Sequence, residues 1–86
     1  MAYNYFHVAW VTRTRYVSRH YSRDFETETE ATAFAIKKKR TNPLVEALTV
    51  REMNYDDNAP FVDGKGQYHK DGGLRVSIVR QIAWWK

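Results

Sequence analysis

The sequence predicts an α+β fold: a single small domain over residues 1–86, with one α-helix packed on a mainly antiparallel sheet of about four strands. Three observations carry this. Residues 3–12 and 74–84 alternate with the two-residue period of a strand. Residues 28–41 carry an N-terminal cap and apolar side chains at helical spacing. No internal repeat, low-complexity tract or linker divides the 86 residues, a length suited to one core. The expected order is β-β-α-β-(loop or hairpin)-β.

Tyr3 to Thr12 places Phe6, Val8 and Trp10 on one side and Tyr5, His7, Ala9 and Val11 on the other. Both sides are mostly apolar, which marks a central strand. Arg13-Thr14-Arg15 connects it to a second strand, Tyr16 to Phe25. There Val17, Arg19, Tyr21, Arg23 and Phe25 alternate with Tyr16, Ser18, His20, Ser22 and Asp24. Neither side is cleanly apolar, as in an edge strand or a bulged one.

Thr27 and Glu30 form the ends of a capping box, and Glu28 and Glu30 suit the positive end of the helix dipole. Ala31, Phe34 and Ala35 share a face that Lys38 continues, its stem lying along the apolar surface. Asn42-Pro43 ends the helix, because proline disfavours a helical residue before it. A third strand is expected over Ala47–Asn54.

Residues 55–73 differ in kind: they hold Asp56, Asp57, Asp63, Asp71, Pro60 and all four glycines. Asp63-Gly64 and Asp71-Gly72 are turn signals, and the segment reads as a long loop or a small hairpin. In the last strand Leu74, Val76, Ile78, Ile82 and Trp84 share one parity, broken by Arg80. The expected core is Phe6, Val8, Trp10, Phe25, Ala31, Phe34, Val50, Val76 and Ile78.

Composition narrows the function classes. The absence of cysteine removes disulfides, thiolate metal sites and a cysteine nucleophile. No apolar run approaches the ~18 residues of a membrane span, and MAYNYFHVAW lacks the basic start of a secretory signal, so a cytoplasmic protein is expected. His7, His20 and His69 do not fall in a metal-binding motif. Ser18, His20, Ser22 and Asp24 lie on one strand face, but alternate strand residues point out in parallel and do not converge as a triad must. Asp63-Gly64-Lys65-Gly66 lacks the frame of a phosphate loop. No catalytic residue, metal site or cofactor is expected.

Binding is the better-supported class. The net charge is +4, and the chain holds three Trp, six Tyr and four Phe. Surplus Tyr and Trp make good surface anchors. Arg13, Arg15, Arg19, Arg23, Lys37, Lys38, Lys39 and Arg40 all lie between residues 13 and 40, with Tyr16, His20 and Tyr21 among them. Cations for phosphate and rings for stacking are what a nucleic-acid surface uses. Two facts oppose this. Cations belong at a helix C-terminus for dipole reasons alone, and Asp24, Glu26, Glu28 and Glu30 dilute the run. The expected binding residues are Arg13, Arg15, Arg19, Tyr21, Arg23, Lys37, Lys39 and Arg40, with Phe61 and Tyr68 as anchors in the 55–73 segment.

The stretch YFHVAWVTRTRYVSRHYSRDFETETEATAFAIKKKR, with Phe25, Thr27, Glu30, Ala31, Phe34 and Ala35 opening the helix, resembles two groups. One is the arm-type DNA-binding domain of tyrosine recombinases. The other is the small accessory proteins of bacteriophages, including early and anti-defence (anti-CRISPR-like) proteins. The resemblance covers about residues 3–40. It implies a phage-type inhibitor or adaptor that docks a host protein, such as a nucleic-acid-handling defence effector, in the bacterial cytoplasm. The alternative is direct binding of DNA or RNA through the basic-aromatic face of residues 13–40.

Overall fold

The structure is a computed structural model that describes residues 2–85. Its elements are β1 (Ala2–Arg13), β2 (Ser18–Phe25), α1 (Glu28–Thr41), β3 (Val45–Val62) and β4 (Tyr68–Trp85). The four strands form one sheet in the order β2-β1-β3-β4, every neighbouring pair antiparallel. β1 is central and β2 is an edge, as their patterns predict.

The helix begins where its cap chemistry places it. The Glu30 N–H donates to Thr27 Oγ1 at 3.2 Å, and the Thr27 hydroxyl donates to Glu30 Oε1 at 2.9 Å. At the other end the Asn42 N–H bonds the Lys38 carbonyl and Pro43 stops the helix. Its Ala31 and Ala35 are small enough for close approach to the sheet. They meet Val8, Trp10, Val45, Leu48 and Val50, with Phe6, Phe25, Phe34, Ile82, Ala83 and Trp85 packed around them. No helix among the described residues is long and apolar enough to cross a membrane.

β3 begins before the expected Ala47 because a bulge interrupts its alternation. Between Ala9 and Val11 of β1, β3 advances from Thr49 to Glu46, one residue more. Ala47 occupies the left-handed region at φ 50°. The extra residue turns Val45 and Leu48 to the same side, so both are buried with Val50.

Two core assignments are corrected. Val76 and Ile78 are 50% and 57% exposed. They pair with Tyr55 and Met53, on the sheet face that the helix does not cover. One helix covers one face, and alternation alone does not say which. β4 carries an extra residue at Val79 and another at Ile82 relative to β3. These irregularities turn Arg80 beneath the helix N-terminus and bring Ile82, Ala83 and Trp85 to the core instead. Arg80 Nε donates to Glu52 Oε1 at 2.8 Å and its Nη1 reaches Glu28 Oε1 at 3.4 Å, tying α1, β3 and β4 together.

The segment expected as a loop or small hairpin is the outer half of a long hairpin. β3 and β4 are each 18 residues. The turn is built on Asp63, whose Oδ1 accepts the Lys65 and Gln67 N–H groups and whose Oδ2 lies 2.8 Å from His69 Nε2. Gly66 supplies the positive φ the turn requires. Among the described residues β1 pairs with β3 no further than Ala2–Asp56, and β3 and β4 continue as a two-stranded arm. The arm gives extents of 49 × 32 × 15 Å and a radius of gyration of 16.4 Å, against about 12 Å for a compact chain of this length.

Candidate nucleic-acid interface

The register of β1 with β2 decides where the strand cations point. Phe6 opposes Phe25, Val8 opposes Arg23, Trp10 opposes Tyr21 and Thr12 opposes Arg19. Paired residues share a face, so Arg19, Tyr21 and Arg23 stand on the helix side of the sheet, beyond the buried Val8 and Trp10. The last two turns of α1 run beside them. Arg23, Phe34, Lys37, Lys38 and Thr41 line a shallow groove of about 270 Å³ between strand and helix.

Aromatic rings hold two of these cations. Phe34 packs at 5.4 Å from Trp10 and 5.2 Å from Phe25. The Arg23 guanidinium lies 5.3 Å from the Phe25 and Phe34 ring centres. The Lys38 ammonium lies 5.0 Å from the Trp10 ring centre. Ring faces carry partial negative charge, so the cations are positioned without being neutralised. Tyr21 stacks on Trp10 at 5.7 Å and is itself 42% exposed.

Three of the four carboxylates that dilute the run in sequence are directed elsewhere in space. Glu28 turns to Arg80, Glu30 to Thr27, and Asp24 to His7 at 2.6 Å on the opposite sheet face. The arginine–carboxylate pairs of the described residues are Arg13–Glu46, Arg75–Asp56, Arg80–Glu28 and Arg80–Glu52. Arg19, Arg23, Lys37 and Lys38 have no carboxylate at ion-pair distance among those residues. Within the helical run, Lys37 and Lys38 line the groove and Lys39 does not.

Of the residues expected to bind, the fold brings Arg19, Tyr21, Arg23 and Lys37 together. Arg13 lies on the other sheet face against Glu46, and Arg15 sits over the Tyr16 ring in the β1–β2 connection. Lys39 donates to the Val45 carbonyl at 3.2 Å, away from the groove. Arg40 follows Ile36 by one turn, on the side of the helix facing β4. Phe61 and Tyr68 belong to the arm, at the opposite end of the sheet from the β1–β2 connection. There Phe61 stacks on His69 at 4.6 Å, while Tyr68 is 66% exposed. Sequence reasoning missed Lys38, Phe34 and Trp10 as parts of this site. The signal was the helical spacing of Phe34 and Lys38: Lys38 belongs to the basic run but is not among the expected binding residues, and Phe34 is expected in the core alone.

The uncovered sheet face is a second surface. Tyr3, Tyr55, Val76, Ile78 and Trp84 lie on it, and Tyr3 packs at 5.1 Å from Tyr55. Burial raises the Tyr5 phenol pKa above its ordinary value, and the Asp24 carboxylate adds to the shift. Among the described residues no three His, Asp or Glu side chains gather as a metal site would require. No family model, curated protein or solved structure significantly matches the chain.

Proposed function

We propose that the protein is a small non-catalytic binding module whose ligand is the phosphate backbone of DNA or RNA. The observation that carries this reading is the groove between β2 and α1. Arg23, Lys37 and Lys38 line it with no carboxylate at ion-pair distance among the described residues, and Arg19 and the exposed ring of Tyr21 follow on the same face of β2. Unpaired cations release counterions when they meet phosphates, and an exposed ring offers a base a stacking platform.

Titration of a labelled single strand and a labelled duplex, at two salt concentrations, tests this. Four phosphate contacts predict an affinity loss on the order of a hundredfold between about 50 and 200 mM salt. The absence of binding to either ligand at the lower salt would exclude the reading.

A second reading is a phage-type inhibitor or adaptor that docks a host protein in the bacterial cytoplasm. It is supported by a different observation, the uncovered sheet face with Tyr3, Val76, Ile78 and Trp84 half exposed. The basic flank would then cover an acidic patch on that partner. Retention of a protein partner after nuclease treatment, with lysines placed at Tyr3 and Trp84 abolishing it, supports this second reading over the first.

A further inference from the structure

The uncovered face of the sheet holds a cavity whose charge is the reverse of the groove's. β2 ends at Phe25, and among the described residues the β1 segment 2–5 pairs with β3 alone. At that step Tyr3, Tyr5, Tyr55, Phe25, Asp24 and Glu26 line a cavity of about 310 Å³. The register gathers the rings. Tyr3 opposes Tyr55, and Tyr5 follows Tyr3 on the same face of β1. The Tyr3 ring centre lies 5.1 Å from that of Tyr55, inclined by 30°, and 6.1 Å from that of Tyr5, inclined by 51°. Rings inclined to one another present faces to a concavity instead of closing into a flat stack. Tyr3 is 51% exposed, so the cavity opens to solvent.

The polar part of the lining is acidic. Asp24 opposes His7, and the same register carried one step further sets Glu26 beside Tyr5. No Lys, Arg or His lines the cavity. One Asp24 oxygen bonds His7 Nδ1 at 2.6 Å. Its other oxygen and the Glu26 carboxylate have no partner among the described residues. Burial, and after it the Asp24 carboxylate, holds the Tyr5 phenol above its ordinary pKa, so this ring stays neutral near pH 7.

Unpartnered carboxylates and ring faces attract the same kind of ligand, a cation. A hard metal ion takes about six oxygen ligands, and two carboxylates among rings do not offer them. A primary ammonium is strongly hydrated and gives up its water reluctantly. A methylated ammonium turns C–H surface to the rings and keeps its charge for the carboxylates. We propose that this cavity binds a methylated ammonium group, carried by a small quaternary amine or by a methylated lysine side chain. The site lies on the other sheet face from the phosphate groove and carries the opposite sign, so it stands or falls separately from that reading.

Titration of the full chain with choline, followed by NMR at the ring signals of Tyr3, Tyr5 and Tyr55, tests this. The shifts should saturate with a Kd of about 1 mM or tighter. The neutral isostere of choline, with a tert-butyl group in place of the trimethylammonium, should bind about tenfold more weakly or worse. Tyr3→Leu keeps an apolar side chain but removes a ring, and should weaken choline binding by about tenfold. Glu26→Gln should weaken it by about threefold. Circular dichroism should show the fold retained in both variants. A short peptide carrying trimethyllysine separates the two sources. Tighter binding than choline assigns a protein side chain, and weaker binding assigns the free amine. Three results overturn the proposal: ring signals that do not saturate with either probe, an isostere that binds as tightly as choline, or an unmodified lysine peptide that binds as tightly as the trimethylated one.

Discussion

Phe34 joins the core to the candidate interface. One side of its ring packs on Trp10 and Phe25, and Arg23 and Lys38 lie over it. Phe34→Ala removes ring contacts and the support for both cations. Because the ring is only half-buried, the cost should be about 3 kcal/mol, the lower end for a phenylalanine truncation. Chemical denaturation measures it, and an unchanged midpoint would refute the packing role. Asp63 gives a pH prediction. Its hydrogen bond to His69, and those from Gln67 and Lys65, hold the carboxyl pKa below its ordinary value. A lowered folded pKa stabilises the turn fully above the unfolded value, near 3.9. That stabilisation is lost as pH falls through the lower folded value. The protection of the Lys65 and Gln67 amides, taken relative to their intrinsic exchange rates, should therefore fall on acidification below about pH 4. Asp63→Ala should show the same low protection already at neutral pH.

At the scale of elements, the cationic run of α1 divides by direction. Lys37 and Lys38 face β2, Lys39 turns to the Val45 carbonyl, and Arg40 is exposed one turn beyond Ile36 and does not line the groove. Arg19 and Lys37 are exposed and are not among the cations seated over rings. The Arg19→Glu/Lys37→Glu pair should therefore abolish nucleic-acid binding and shift stability by no more than about 0.5 kcal/mol. Reversal at Arg13 and Arg40, which preserves the groove, should leave most of the affinity. Equal losses in the two pairs would mean that net charge, rather than the groove, drives binding. The arm has its own weak point at Gly73. A Cβ there would lie 2.7 Å from the Ala59 carbonyl oxygen and 2.8 Å from Phe61 Cβ. Gly73→Ala should push the two arm strands apart and increase protease cleavage between residues 58 and 74, with the body still folded.

At the scale of the molecule, stability is unevenly distributed. β1, β2 and the first part of β3 share a core with α1, while the arm is a two-stranded ribbon with Ala59 as its buried apolar residue. Isolated two-stranded ribbons are marginal in water. Native-state hydrogen exchange should show the arm tip opening at a free energy well below that of β1. Protection at residues 61–70 equal to that of β1 would make arm and body one cooperative unit. The extended shape follows from the same division. The hairpin outruns β1 at Asp56, so the chain reaches 49 Å in its longest dimension instead of closing into a sphere.

Local chemistry was legible in the sequence. The α+β class, the element order, the Thr27 cap, the stop at Pro43 and the central place of β1 rest on neighbours a few residues apart. They could be read from spacing alone. The turn at Asp63-Gly64 was legible for the same reason, but the length of the hairpin around it was not. Pairing, rather than residue preference, makes strands of an Asp- and Gly-rich segment. Only the tertiary structure decided which sheet face the helix covers. Burial depends on what lies above a face, so Val76 and Ile78 look like core in sequence and stand half exposed. Bulges at Ala47, Val79 and Ile82 shift side chains between faces, and a two-residue period carries no mark of them. The candidate interface depends on the same long-range geometry. Glu28 and Asp24 neighbour the cations along the chain, but Arg80 and His7 draw them away in space. Charge that is diluted in sequence is therefore concentrated in the fold, because ion pairs form between residues that the register brings together.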